Sequence, residues 1–247
     1  MSGATGSIEL VKLTKSFRHY RARSVKDTLV HLARGERWAE RRLVLDSISL
    51  RIDPGERVGI IGRNGAGKST LFRILSGILV PDTGEALVVG RVAPLIEVTA
   101  GFVPDLTGEE NLRLNAAILG VSRSELAGMY DRIVSFAGLQ EFMATPMRYF
   151  SSGMQTRLGF ALVAFVDADI VLIDEALAVG DLDFQRQSLG RMEEIAARGA
   201  TVVFVSHDFE AVQRFCGRAL WLDAGRVRMD GPPAEVVAAL RADAASK

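Results

Sequence analysis

Short, nearly continuous apolar runs alternate with amphipathic stretches along most of this chain, and the alternation breaks once, between residues 107 and 140. Val58-Gly59-Ile60-Ile61, Ile170-Val171-Leu172-Ile173 and Thr201-Val202-Val203-Phe204-Val205 are runs of the first kind. Such runs predict strands of a parallel sheet covered on both faces. Residues 8–13, the alternating 43–52 and 85–89 predict further strands, and 57–61 ends in the first apolar run. Helical spacing predicts helices over 71–75, 153–165, 184–198 and 234–240. Leu220-Trp221-Leu222 and 227–229, separated by Asp223-Ala224-Gly225-Arg226, predict a closing hairpin. Within 107–140, Leu112, Leu114, Ile118, Leu119, Leu126, Ile133, Val134 and Phe136 recur at helical spacing without strands between them. That block predicts a helical subdomain over about 105–150, inserted into an α/β fold with a largely parallel sheet.

The 247 residues suffice for a single domain of this kind, closing with a short tail over 232–247. Equal counts of 30 basic and 30 acidic residues argue against a general nucleic-acid binder. A single cysteine, Cys216, excludes an internal disulfide and a cysteine-built metal site, and its apolar neighbours predict a buried thiol. The opening Met-Ser-Gly-Ala-Thr-Gly-Ser has no signal-peptide character, and no apolar stretch reaches the roughly 18 residues that cross a bilayer. These features predict a cytoplasmic protein whose membrane role, if it has one, needs a spanning partner.

Candidate chemistry concentrates at the ends of the apolar runs. Gly62-Arg63-Asn64-Gly65-Ala66-Gly67-Lys68-Ser69-Thr70 follows one run and opens a helix, the arrangement of a phosphate-binding loop. Glycines let backbone N–H groups turn toward phosphate oxygens, and the helix N-terminus adds partial positive charge. Lys68 is placed to reach the outer phosphates and the Ser69 hydroxyl to ligate Mg²⁺. Asp174 and Glu175 follow a second run, at the carboxyl edge where such sheets bind ligands. Asp174 is a candidate to hold Mg²⁺ through water, and Glu175 to polarise the water that attacks a γ-phosphate. His207 ends the third run in Ser206-His207-Asp208, beside the same edge. Ser151, in Tyr149-Phe150-Ser151-Ser152-Gly153-Met154-Gln155, is either a second anion contact or simply a helix cap.

Taken in order, GRNGAGKST, YFSSGMQ, IVLIDEALAVGD and FVSHD resemble the ATP-binding subunits of ABC transporters over nearly the whole chain. The resemblance implies one ABC nucleotide-binding domain over 1–247: a P-loop NTPase core, an antiparallel β subdomain and the inserted helical subdomain. It implies a homodimer in which two copies sandwich two ATP molecules head to tail, docked on a transmembrane permease at the cytoplasmic face of the membrane. Residues 62 and 64–70 then bind ATP and Mg²⁺, Ser151 and Gly153 reach the partner copy's γ-phosphate, and Asp181 lies in the loop crossing the interface. Glu175 becomes the general base and His207 the γ-phosphate sensor. Finer similarity is to exporters of lipid-linked polysaccharides of the O-antigen, capsule and teichoic acid type. Arg91-Val92-Ala93-Pro94-Leu95, Ala100-Gly101-Phe102, Leu106-Thr107-Gly108, the YFSSGM variant and Phe184-Gln185 carry that style.

Departures from the family pattern bear on particular residues. Leu-Ser-Gly-Gly-Gln becomes Phe150-Ser151-Ser152-Gly153-Met154, which keeps the serine and the second glycine. No glutamine precedes Gln140, so Glu97 stands nearest to the usual Mg²⁺- and permease-contacting glutamine. Its carboxylate adds negative charge beside a triphosphate, which favours the permease role over the metal role. Phe17 best fits the adenine-stacking position, with Tyr20 as the alternative. The basic insertion over 18–42 is either a solvated surface or a face for lipid headgroups or a glycan pyrophosphate. Other readings are an ABC ATPase outside transport, a nucleotide-gated module that barely hydrolyses, and a transporter for another substrate. The chain ends soon after the closing hairpin, so no appended carbohydrate-recognition domain is expected.

Overall fold

The protein is described here by a computed structural model covering residues 4–20, 39–95, 101–174 and 181–245. Among the described residues nine strands form two sheets. Strands β1 (Ile8–Tyr20), β2 (Ala39–Ile52) and β4 (Thr83–Val88) make an antiparallel sheet in the order β2-β1-β4. A second, six-stranded sheet has the order β5-β6-β7-β3-β8-β9 and is parallel except for its last strand. Its members are β3 (Arg57–Ile61), β5 (Val92–Leu95), β6 (Ile170–Asp174), β7 (Thr201–Val205), β8 (Arg218–Asp223) and β9 (Arg226–Gly231). The helices are α1 (Lys68–Leu75), α2 (Gly108–Ile118), α3 (Arg123–Ala137), α4 (Ser152–Phe165), α5 (Leu182–Ala197), α6 (Phe209–Phe215) and α7 (Pro233–Ala245).

The continuous apolar runs are explained by burial of both sheet faces. Ile170, Leu172, Val203, Val205 and Ile60 point to a core shared with the antiparallel sheet and α1. Their alternates Val171, Ile173, Val202 and Phe204 enter a second core with Phe160, Met192 and Val212. Successive residues of a strand face opposite sides, so both sets must be apolar. A third core lies within the helical block, around Leu112, Ile133, Val134 and Leu158.

Within 107–140 that block consists of the two helices α2 and α3. Ser122 caps α3 in a reciprocal capping box with Glu125, and Thr107 caps α2 in the same way with Glu110. Single 3₁₀ turns at Gln140–Phe142 and Met147–Tyr149 lead from α3 to α4. Strand β5 and helix α6 lie outside the elements that periodicity predicts. Strand β5 is four residues long and contains Pro94, which an edge strand tolerates; α6 is only seven residues long.

The predicted insertion over 18–42 is described only at its two ends. Residues 18–20 and 39–42 are paired strand, with Phe17 opposite Arg42 and Arg18 opposite Arg41. What lies between them, 21–38, is outside the described residues.

Cys216 is buried beside Arg57, and burial pushes its thiol up to about 12. The native thiol should resist iodoacetamide at pH 8 and react once the chain is unfolded in urea. Phe160 is fully buried where Phe136 of α3 and Phe184 of α5 meet, with ring centroids 6.0 and 5.7 Å away. Phe160→Ala should lower unfolding free energy by about 3–5 kcal/mol in urea denaturation.

Candidate functional site

Parallel register brings the candidate residues to one edge. Ile60 pairs with Val205, and Val205 with Asp174, so β3, β7 and β6 end level with one another. The glycine-rich loop leaves β3, Asp174 is the last residue of β6, and Ser206-His207 leave β7 at that edge. Asp208 caps α6 immediately afterward, accepting from the N–H groups of Glu210 and Ala211. The polar cluster therefore stands at a strand end fixed from both sides.

Two glycines of the loop are required by sterics. A Cβ on Gly62 would lie 2.1 Å from the carbonyl oxygen of Leu222, and Gly67 has φ 107° as the N-cap of α1. Gly67, as N-cap, brings no side-chain acceptor of its own to the first N–H groups of α1. The Lys68 side chain is buried, and its ammonium donates to the carbonyl oxygens of Gly62 and Arg63 at 2.7 and 3.2 Å. Those oxygens are neutral acceptors, and an anionic ligand in the cleft would offer a stronger, charge-assisted one.

Around this loop lies an open cleft of about 1300 Å³. Residues 63–70, Asp174 and His207 line it, together with Phe17, Arg18 and Arg42. Phe17 is 42 % exposed, which leaves its ring accessible for stacking against a planar ligand. Among the described residues no group of three or more His, Cys, Asp or Glu side chains could hold a metal ion. Mg²⁺ bound with a nucleotide needs no such cage, because one or two protein oxygens, phosphates and water complete its octahedron. Ser69 and Asp174 are donors of that kind in the cleft.

Ser151, Gly153 and Asp181 do not line this cleft, and all three are tied to α4. Ser151 is exposed and caps α4, its hydroxyl accepting from the Met154 N–H at 3.2 Å. Asp181 caps α5 through the Phe184 N–H at 2.9 Å and pairs with Arg157 of α4. The bond from Phe184 N–H, with Arg157 beside it, holds the Asp181 carboxyl below its usual range. Arg157 also lies over the Phe184 ring at 5.3 Å, so α4 and the start of α5 are braced together. Glu175 and Glu97 lie outside the described residues.

The sequence pointed to the loop and strand ends but not to the cleft's second wall. Leu43, Val44, Asp223 and Ala224 also line it. The Asp223-Ala224-Gly225-Arg226 turn reads locally as hairpin chemistry. In space the Gly225 N–H donates to the Ala66 carbonyl at 3.0 Å and so supports the loop from behind. No periodicity signals a contact between such distant segments.

Comparison with known proteins adds to this geometry. Residues 45–178 match the ABC transporter family. The O-antigen export system ATP-binding protein of Myxococcus xanthus is 42 % identical over 98 % of this chain and 57 % of its own length. That of Klebsiella pneumoniae is 40 % identical over 89 % of this chain and 90 % of its own. The chain thus spans a little over half of one relative and nearly all of the other. A solved ATP-binding subunit of an ABC transporter superposes with a TM-score of 0.75 at 25 % identity, covering 95 % of this chain and 94 % of that one. With the phosphate loop, the strand-end carboxylate and the histidine meeting at one sheet edge, this chain belongs to the ABC transporter family.

Proposed function

We propose that the chain is the ATP-hydrolysing subunit of an exporter that moves a lipid-linked polysaccharide of O-antigen, capsule or teichoic acid type across the cell membrane. The observation carrying the ATPase reading is the single cleft lined by Phe17, residues 63–70, Asp174 and His207. The polysaccharide rests on the O-antigen export relatives and on the YFSSGM and Gly101-Phe102 style of the sequence.

In this reading Phe17 stacks on adenine, the loop N–H groups and Lys68 hold the phosphates, and His207 senses the γ-phosphate. Glu175 takes a proton from the attacking water. Ser69 and Asp174 would hold Mg²⁺, which supplies charge neutralisation at the transferring phosphoryl group. Catalysis is then mostly positioning and electrostatics.

Ser151, Gly153 and Asp181 stand exposed or half-exposed outside the cleft, where one copy of the chain gives them no phosphate to touch. Two copies facing head to tail would place them on each other's ATP. That is the support for a homodimer closed by ATP and reopened by hydrolysis. Closure does work on a permease only to the extent that ATP favours the closed state. No helix among the described residues is long and apolar enough to cross a membrane, which fits a peripheral subunit docked on a separate permease. Glu97 is proposed to face that permease, and the basic insertion over 18–42 to face anionic lipid headgroups or the pyrophosphate of the glycan.

Glu175→Gln should retain ATP in a stalled dimer with hydrolysis reduced at least about a hundredfold, read by size-exclusion chromatography and phosphate release. Normal turnover in that variant would remove Glu175 as the base. Lys68→Ala should weaken ATP binding at least about tenfold by calorimetry, since a charge-assisted contact to phosphate is lost. The export reading is tested by purifying the chain with its membrane subunit. A permease carrying a lipid-linked glycan, and ATPase activity stimulated by that glycan, is expected. A complex stimulated only by an unrelated solute would overturn the polysaccharide assignment.

A further inference from the structure

Strand β1 loses one of its two partners just before it reaches the cleft. Its last pair with β4 is Thr14 opposite Thr83. Against β2 its register also slips there: Lys15 faces Leu45 and Ser16 faces Leu43, leaving Val44 as an extra residue. A bulge of this kind bends the strand and leaves its backbone groups short of partners. Phe17 follows immediately, so the orientation of that ring depends on what holds residues 14–16.

One side chain supplies most of the missing contacts. The Asp82 N–H donates to the Thr14 carbonyl at 2.8 Å, in place of a further rung of the β4 ladder. Its carboxylate accepts from the Ser16 N–H at 2.9 Å, the Ser16 hydroxyl at 2.6 Å and the Lys15 ammonium at 2.8 Å. Arg41 of β2 approaches the same carboxylate at 3.5 Å. Lys15 donates in addition to the Val80 carbonyl at 2.8 Å, and its ammonium lies 5.7 Å from the Phe17 ring centroid. Bonds from Lys15 and Ser16 hold the Asp82 carboxyl well below the usual carboxylate range, so it is ionised throughout the physiological range.

We propose that Asp82 is a positioning residue for nucleotide binding, holding the bulged end of β1 so that Phe17 faces the base. Asp82 itself does not line the cleft. It acts through Phe17, and the inference therefore rests on the stacking role given to Phe17 above. A base held this way is gripped independently of the triphosphate, which belongs to the loop and Lys68. Loss of Asp82 should be felt by ligands that carry a base and ignored by those that do not.

The test uses the full-length chain as wild type, Phe17→Ala, Asp82→Ala and the double variant, with ATP and inorganic tripolyphosphate as calorimetric probes. Phe17→Ala should weaken ATP roughly tenfold to a hundredfold, the scale of base–aromatic stacking, and leave tripolyphosphate unchanged. Asp82→Ala should weaken ATP at least about threefold, leave tripolyphosphate unchanged, and add nothing in the Phe17→Ala background. Asp82→Asn, which keeps an acceptor for Ser16 but loses the charge, should fall between wild type and Asp82→Ala. The inference is overturned if Asp82→Ala binds ATP like wild type, loses both probes equally, or costs as much without Phe17 as with it. If Phe17→Ala leaves ATP affinity intact, the stacking role itself falls, a result separate from any behaviour of Asp82.

Discussion

The parallel pairing of β3, β7 and β6 is the constraint on which the rest of the structure depends. Ile60, Val205 and Asp174 stand level across three strands, so whatever follows each strand shares one edge of the sheet. A parallel sheet buried on both faces allows this register little freedom. A slip by one residue would exchange Val202 and Phe204 for Val203 and Val205 between two cores already filled by different partners. The chemistry of the cleft thus inherits its precision from packing: the carboxylate, the histidine and the phosphate loop are placed by the valines and isoleucines of the strands that carry them.

The loop is also braced from outside its own segment. Gly62 passes so close to Leu222 that any Cβ would collide with backbone, and Gly225 closes a hydrogen bond to Ala66. Arg226 fixes the same turn to Asp46 of β2. The conformation of the loop is therefore fixed by contacts with distant segments, and the Lys68 ammonium bonds back to the Gly62 and Arg63 carbonyl oxygens within it. Pre-ordering of this kind lowers the entropy lost on binding.

A second set of contacts links the helical subdomain to the core. The rings of Phe136, Phe160, Phe165 and Phe184 join α3, α4 and α5. Arg91, at the start of β5, reaches the Leu119 carbonyl and Glu125 while its N–H donates to Asp169. Arg157 then ties α4 to Asp181. Helix α4 carries Ser151 at its N-terminus, so movement of the subdomain moves that serine together with the residues braced to it.

Much of this was legible in the sequence, because motif chemistry is contiguous and apolar periodicity is local. The strands β3, β6 and β7, the helix after the phosphate loop and the residues at the strand ends all follow from stretches of fewer than about twenty positions, and the helical interruption from one continuous segment. Tertiary structure alone decided the order of the strands, the separation of Ser151 from the cleft, and the wall made by Asp223 and Ala224. It also decided that β1 runs on to Tyr20 against β2, and that Asp82 clamps residues lying 66 and 67 positions earlier. Such contacts arise from register and packing between elements distant in the chain, and a pattern read along one segment holds no record of which other segment will lie beside it.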